Sequence, residues 1–210
     1  MTRARDAASG VLTTLEIDGA ADIGADLADA DLFIVDDGAG GTNRKTTAAR
    51  IKTYVGGGIT EADQWRLTSD QAGQISTVNA WERNDTTGAT YIGTGLTNSS
   101  GIFSFASTGK YLISFVGSLL LEGADVNCEF LLQITSDNSN YITAAKGVVG
   151  SQNDPDNVRG SCSNSFLLDV TNTSNDKFKF ATSSFNSSTQ LIGTSTYNHT
   201  SFTVIRLGDT

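Results

Sequence analysis

The chain of 210 residues has one proline, one methionine, one histidine and two cysteines. A single proline excludes a Pro-rich stalk. A single methionine excludes a Met-rich adaptable surface. With His199 the only histidine, no Cys/His cluster exists to hold a metal. Two cysteines do not make a disulfide framework, which needs more of them in a smaller chain. Cys128 and Cys162 read as free buried thiols. Each lies beside strand-like sequence, "CEFLLQI" and "CSNSFLLDV", so a bridge between neighbouring strands stays open. Positive charge is scarce: Lys and Arg number 14 against 23 Asp and Glu, for a net charge of -9. No basic tract exists, which excludes a nucleic-acid partner and disfavours an anionic membrane surface. No stretch approaches the roughly 20 apolar residues of a membrane span, so no membrane insertion is expected. "MTRARDAASG" has basic residues without a following apolar run. It does not read as a secretory signal, and synthesis in the cytoplasm is the expectation.

What the chain has instead is Ser, Thr, Asn and Gly, a mix that suits short strands and many turns. From about Ala62 onward, short apolar or alternating runs are separated by polar turn clusters such as "NDTTGAT", "TNSSG", "SDNSN" and "SSFNSST". Strands are predicted near 64–67, 78–83, 102–105, 111–121, 128–135, 141–149, 165–172, 177–181, 190–196 and 201–207. Many strands at short spacing with no helical stretch indicate an antiparallel sandwich or jelly roll. Alternation is clean in "KFKFAT", with Phe178 and Phe180 inward and Lys177 and Lys179 outward. The run Tyr111–Leu121 differs. Tyr111, Ile113, Phe115 and Leu119 share one side, and Leu112, Val116 and Leu120 share the other. A sandwich strand shows one face to the core and one to solvent. A strand apolar on both sides must be covered twice, most simply by another copy of the domain, otherwise by a long loop.

Residues 1–60 follow another grammar and read as a segment distinct from the domain of residues 61–210. "DLFIVDD" predicts a short strand, and "GAGGTNRKTTAARIKTYVGGG" a Gly-rich loop followed by a short helix. Asn43 or Thr46 is the expected N-cap, Ala48, Ile51 and Val55 share a helical face, and Gly56–Gly58 ends it. The segment is too small for a core of its own.

No catalytic constellation is present. No serine sits in a G-x-S-x-G elbow. Glu122, Asp125 and Glu129 read as an exposed turn rather than paired catalytic carboxylates. Asp18, Asp22, Asp26, Asp29 and Asp31 do not match the spacing of an EF-hand and read as solvated turns. The loop "SQNDPDN", with Asp154 and Asp156, is the best calcium candidate in the chain, although polar turns of this type are common. No cofactor and no enzymatic activity are expected.

Two stretches carry a resemblance. "NAWERNDTTGATYIGTGLTNSSGIFSFASTGKYLISF" (79–115) and the ending "HTSFTVIRLGDT" resemble the trimeric jelly rolls of the complement/tumour-necrosis-factor type, in the versions found in bacteriophage fibre and appendage proteins. The matching pattern is Gly101, Phe103 and Phe105, then Thr108-Gly109 with Tyr111 and Phe115, and a closing strand at Phe202–Val204. "DADLFIVDDGAGGTNRKTTAARIKTYV" is similar to the N-terminal modules of tail-fibre and virion proteins. The resemblance implies a homotrimer located on a virion, fastened to other virion proteins through residues 1–60. Its jelly-roll tip would serve host attachment, binding surface carbohydrate or protein. The implied anchor residues are Leu32, Phe33, Ile34, Val35, Ile51 and Val55. Tyr111, Ile113, Phe115, Phe178, Phe180, Phe202 and Val204 are read as core or subunit contacts, two roles the sequence does not separate. Tyr91, Tyr141, Tyr197 and Trp81 are candidate stacking faces for a sugar. The chain has no repetitive shaft, so the implied object is a short tail fibre, head fibre or decoration protein. The competing reading is a free-standing lectin-like or cytokine-like binding module.

Overall fold

The computed structural model describes residues 24–36, 43–55, 58–122, 125–151 and 158–210. The chain divides into two compact units, Met1–Gly57 and Gly58–Thr210.

In the first unit, β1 (Leu32–Asp36) pairs antiparallel with β2 (Asn43–Thr47), and α1 (Ala48–Val55) follows directly. The stretch expected to be loop and N-cap is therefore a second strand. The cap is Thr47, whose hydroxyl accepts the Arg50 amide at 3.3 Å, in place of Asn43 or Thr46. A short strand of Asn, Arg, Lys and Thr carries no apolar alternation, which is why it is invisible to periodicity. Gly56, Gly57, Asp18, Asp22, Asp154 and Asp156 lie outside the described residues. Asp29 lies in a turn that Asp31 helps to hold by accepting the Ala28 amide at 2.8 Å, while Asp26 is exposed outside it.

The second unit is an antiparallel sandwich. Its strands are β3 (Ala62–Leu67), β4 (Ser69–Ala72), β5 (Trp81–Arg83), β6 (Thr97–Ser99), β7 (Ile102–Ser104), β8 (Gly109–Leu121), β9 (Cys128–Thr135), β10 (Ile142–Val149), β11 (Val158–Val170), β12 (Lys177–Ser183), β13 (Gln190–Thr194) and β14 (Ser201–Gly208). One sheet runs β10-β9-β12-β7-β6. The other runs β4-β13-β8-β14-β3-β5, with β11 on the free flank of β8. Neighbours in each sheet come from distant parts of the chain, as the crossovers of a jelly roll require.

The core lies between the inner faces of the two sheets and is dominated by rings. Phe103 stacks on Phe178 with centroids 5.0 Å apart, and Phe130 on Phe180 at 5.1 Å. Phe202 meets Phe103 edge-on at 4.8 Å and Trp81 at 5.2 Å. Such pairs add to the large apolar area each ring buries. Gly117 on β8 leaves room for them: a Cβ there would lie 2.7 Å from the Phe130 ring. Cys162 fills the gap between Gly117 and Gly147.

Both thiols are free and buried, so no bridge joins β9 to β11. Burial is the main cause that pushes the Cys128 thiol up to about 12, helped by the Asp125 carboxylate. Of the three acids expected in an exposed turn, Asp125 is buried and Glu122 and Glu129 are half-buried. Asp125 accepts the Thr189 hydroxyl and, at 3.3 Å, the Asn186 amide, while Glu129 pairs with Lys146 at 2.5 Å.

Phe115 is buried at the centre of this ring cluster, 5.5 Å from both Phe130 and Phe180. Phe115→Ser is expected to cost about 3 kcal/mol or more, since it leaves a cavity and buries a hydroxyl. Urea unfolding followed by Trp fluorescence measures it. A thiol held protonated far above neutrality does not attack disulfides. At pH 8 the native protein should therefore resist an aromatic disulfide reagent and release both thiols to it only on unfolding.

Candidate assembly surface

The alternation of β8 fixes two surfaces at once. Tyr111, Ile113, Phe115, Leu119 and Leu121 point into the sandwich and are buried. Leu112, Ser114, Val116, Ser118 and Leu120 point outward and remain half-exposed, with Val116 at 39 %. Of these, Ser118 meets the segment before β14, its hydroxyl donating to the His199 carbonyl at 3.2 Å. Phe178 and Phe180 on β12 and Phe202 and Val204 on β14 are likewise buried. All seven residues read as core or subunit contacts are core.

The outward surface comes from the alternate positions, and the pairing register orders it into rows. Leu167, Leu112 and Ile205 lie side by side across β11, β8 and β14. The next row is Ser165, Ser114 and Thr203, and the third is Ser163, Val116 and Ser201. One end of the face is thus apolar and the middle is hydroxyl-rich. A shallow depression of about 500 Å³ covers the two upper rows and reaches Gln64 on β3. At the apolar end a notch of about 350 Å³ opens between Leu167, 63 % exposed, and Leu207, 57 % exposed. Its polar edge is Lys110, 3.6 Å from Asp169. Both members of that pair are half-exposed, and such a pair is worth little in stability.

Two polar networks hold the flank of this face. Arg66 projects from β3 on the outward side, yet it is only 1 % exposed, because β5 and residues 84–86 close over it. Its guanidinium donates to Glu82 at 2.7 Å, to the Thr86 hydroxyl at 2.6 Å, to Asn84 at 3.1 Å and to Asp85. Inside the sheet, buried Asp63 accepts the Trp65 indole N–H at 2.9 Å, the Leu96 amide at 2.8 Å and the Arg83 guanidinium at 3.0 Å. Arg83 lies between the rings of Trp65 and Tyr91, 5.2 and 4.4 Å from their centroids. A planar, always charged fork suits both jobs better than a lysine would. Gly95 is required beside them: its φ is +72°, and a Cβ would lie 2.7 Å from Asp63 Oδ2.

Chemically, the face offers hydroxyls without a general base, and a bare hydroxyl is a weak nucleophile. Among the described residues no group of three His, Cys, Asp or Glu could hold a metal. The rows themselves carry no charge, so an equally acidic second copy of the chain meets no like charge there.

The four aromatic residues named as stacking candidates do not converge. Trp81 is core, a correction to that reading. Tyr91 lies over Arg83, Tyr141 over Lys179 at 4.6 Å, and Tyr197 against His199 at 5.0 Å. In the N-terminal unit Leu32, Ile34, Val35 and Val55 are exposed, as is Tyr54 at 92 %, whereas Phe33 and Ile51 are half-buried.

No protein-family model matches the chain, and no curated protein does. Among solved structures the fold is similar to Eiger TNF from S. frugiperda, at 15% identity and a TM-score of 0.57, with 71% of this chain and 93% of that one covered. It is also similar to murine APRIL at pH 8.5, at 13% identity and a TM-score of 0.50, covering 70% and 98%. The fold is thus a tumour-necrosis-factor-like jelly roll, and at these identities the likeness shows the fold alone.

Proposed function

We propose that this chain is a homotrimeric binding module that assembles through the outward rows of β11, β8 and β14. The single observation carrying this reading is that sheet face: three adjacent strands present Leu167, Leu112 and Ile205 in one outward row, Leu167 exposed and the other two half-exposed. The jelly-roll fold supports a binding rather than a catalytic role. In the finer form of the proposal the trimer is a short fibre or decoration protein of a phage virion. Residues 1–60 fasten it to other virion proteins, and the jelly roll serves adhesion to the host surface. The exposed apolar side chains of β1 and α1 support an attachment role, since a unit of that size buries little by itself. The resemblance of "DADLFIVDDGAGGTNRKTTAARIKTYV" to virion modules supplies the rest of the argument.

The test is the solution mass of the full chain by light scattering after size exclusion. Three times the chain mass is expected, and a monodisperse monomer overturns the assembly. Leu112→Asp combined with Ile205→Asp places two carboxylates in the apolar row. It should turn the trimer into a folded monomer, because a desolvated unpaired charge costs several kcal/mol. The virion role is read separately: the protein should co-sediment with particles of its phage, and occurrence only in the free fraction overturns that part.

A further inference from the structure

Residues 58–210 contain four arginines, Arg66, Arg83, Arg159 and Arg206. Three are committed to the fold. Arg66 and Arg83 anchor the networks described above, and Arg206 donates to the Thr108 carbonyl at 2.9 Å, to the Thr60 hydroxyl at 3.2 Å and to Asp209 at 2.6 Å. The guanidinium of Arg159 alone makes no hydrogen bond or ion pair with a described residue. The residue stands on β11 opposite Leu120, and beside it Ser161 stands opposite Ser118.

Arg159, Gly160, Ser161 and Ser118 border a cleft of about 280 Å³ whose other walls are Leu119, Ile192 and His199. The cleft lies at the Leu121 end of β8, beyond the last of the three rows. Its far wall is held in place: Ser118 Oγ donates to the His199 carbonyl at 3.2 Å, and the Tyr197 ring packs on the imidazole. The imidazole and the Ser161 hydroxyl, like the guanidinium, have hydrogen-bonding capacity that no described residue uses. No carboxylate of a described residue lines the cleft.

We propose that this cleft binds the carboxylate of an acidic sugar. A guanidinium fork takes a carboxylate through two parallel hydrogen bonds. The Ser161 hydroxyl and the imidazole then meet ring hydroxyls, and Ile192 offers an apolar wall for the ring. The volume falls just under the range of about 300–1,000 Å³ usual for drug-sized ligands, which suits one sugar ring and not an extended chain. In a protein of net charge -9 the attraction is local, so the interaction weakens as salt rises.

The experiment is titration of the full-length protein with sodium D-glucuronate at low ionic strength, followed by ligand-observed NMR. D-glucose and sodium sulfate are run in parallel. Glucuronate should bind with a dissociation constant of about 1–10 mM, and both comparison ligands at least about tenfold more weakly. Arg159→Gln, at an exposed position, should keep the melting temperature and lose about tenfold in glucuronate affinity. The proposal is overturned if glucuronate does not bind, or if Arg159→Gln leaves its binding unchanged. It is overturned equally if glucose binds as well as glucuronate, or if sulfate does, which would mark a site for any small anion.

Discussion

Everything in the jelly roll hangs on the thirteen residues of β8. It is hydrogen-bonded to three other strands, β11 on one flank and β14 then β13 on the other. Its odd-numbered positions furnish the wall against which the Phe103, Phe130, Phe178, Phe180 and Phe202 cluster packs. Its even-numbered positions form the middle of the outward face. A register slip of one residue would exchange the two sets, exposing Tyr111, Ile113 and Phe115 and burying Ser114 and Ser118. The core and the outward face are therefore specified by the same pairing, and neither can be altered without the other.

That coupling explains how far the sequence can be read. Alternation of large apolar residues in "KFKFAT" and "SFTVIRL" points directly at the sandwich, because inward side chains at every second residue have one physical meaning. The two-sided apolar character of Tyr111–Leu121 is legible too, but its division is not. Tyr111, Ile113 and Phe115 stand out as large residues, and large aromatic residues are what a core takes first. The outward residues that matter, Leu112, Leu167 and Ile205, are unremarkable singly. They become a row only through the pairings with Leu112, which join residues 55 and 93 positions apart in sequence. Apolar patterning predicts β11 only from Ser165, whereas the strand starts at Val158. "VRGSCSN" carries no regular apolar alternation, and it is a strand because β8 supplies its hydrogen bonds. The same holds for β2, β4 and β6, which are polar and borrow their conformation from a partner.

The buried polar networks lie beyond the reach of patterning for a related reason. Asp63 and Arg66 occur in "ADQWRL", which alternates well enough to read as an ordinary strand with polar residues outward. Asp63 instead points inward, where it accepts from Trp65, Leu96 and Arg83, and Arg66 points outward and is then covered. A buried charge is tolerated only where its hydrogen-bonding capacity is met, and here both are met by residues up to 33 positions away. Their effect is to fix β5 and residues 84–86 against β3, which makes one flank of the outward face rigid and polar. The opposite flank, β11, is fastened by exposed polar contacts instead: Asn164 donates to the Lys146 carbonyl on β10 at 3.0 Å, and Asp169 lies 3.6 Å from Lys110 on β8. It has a single strand partner, and its inward side packs on β10 through the Cys162–Gly147 contact.

The composition of the face bears on what kind of contact it can make. An all-apolar sheet face would hold copies tightly but in no fixed register, since the hydrophobic effect is non-directional. The serine and threonine rows change this. A hydroxyl taken from water without a partner costs free energy, so the favourable arrangement is the one in which Ser114, Ser163, Ser165, Ser201 and Thr203 find acceptors across the boundary or share ordered water. In the proposed assembly the single apolar row, with the notch between Leu167 and Leu207, would supply most of the attraction. Fully burying an aliphatic side chain is worth about 1.5–3 kcal/mol, and these residues are already partly buried. The hydroxyl rows select one orientation among those the apolar row would allow. In the proposed trimer a face built this way would favour one orientation of the copies, because copies rotated away from it would leave hydroxyls unpaired. The division of labour follows from one strand on which leucine and serine alternate in the outward register while rings fill the inward one.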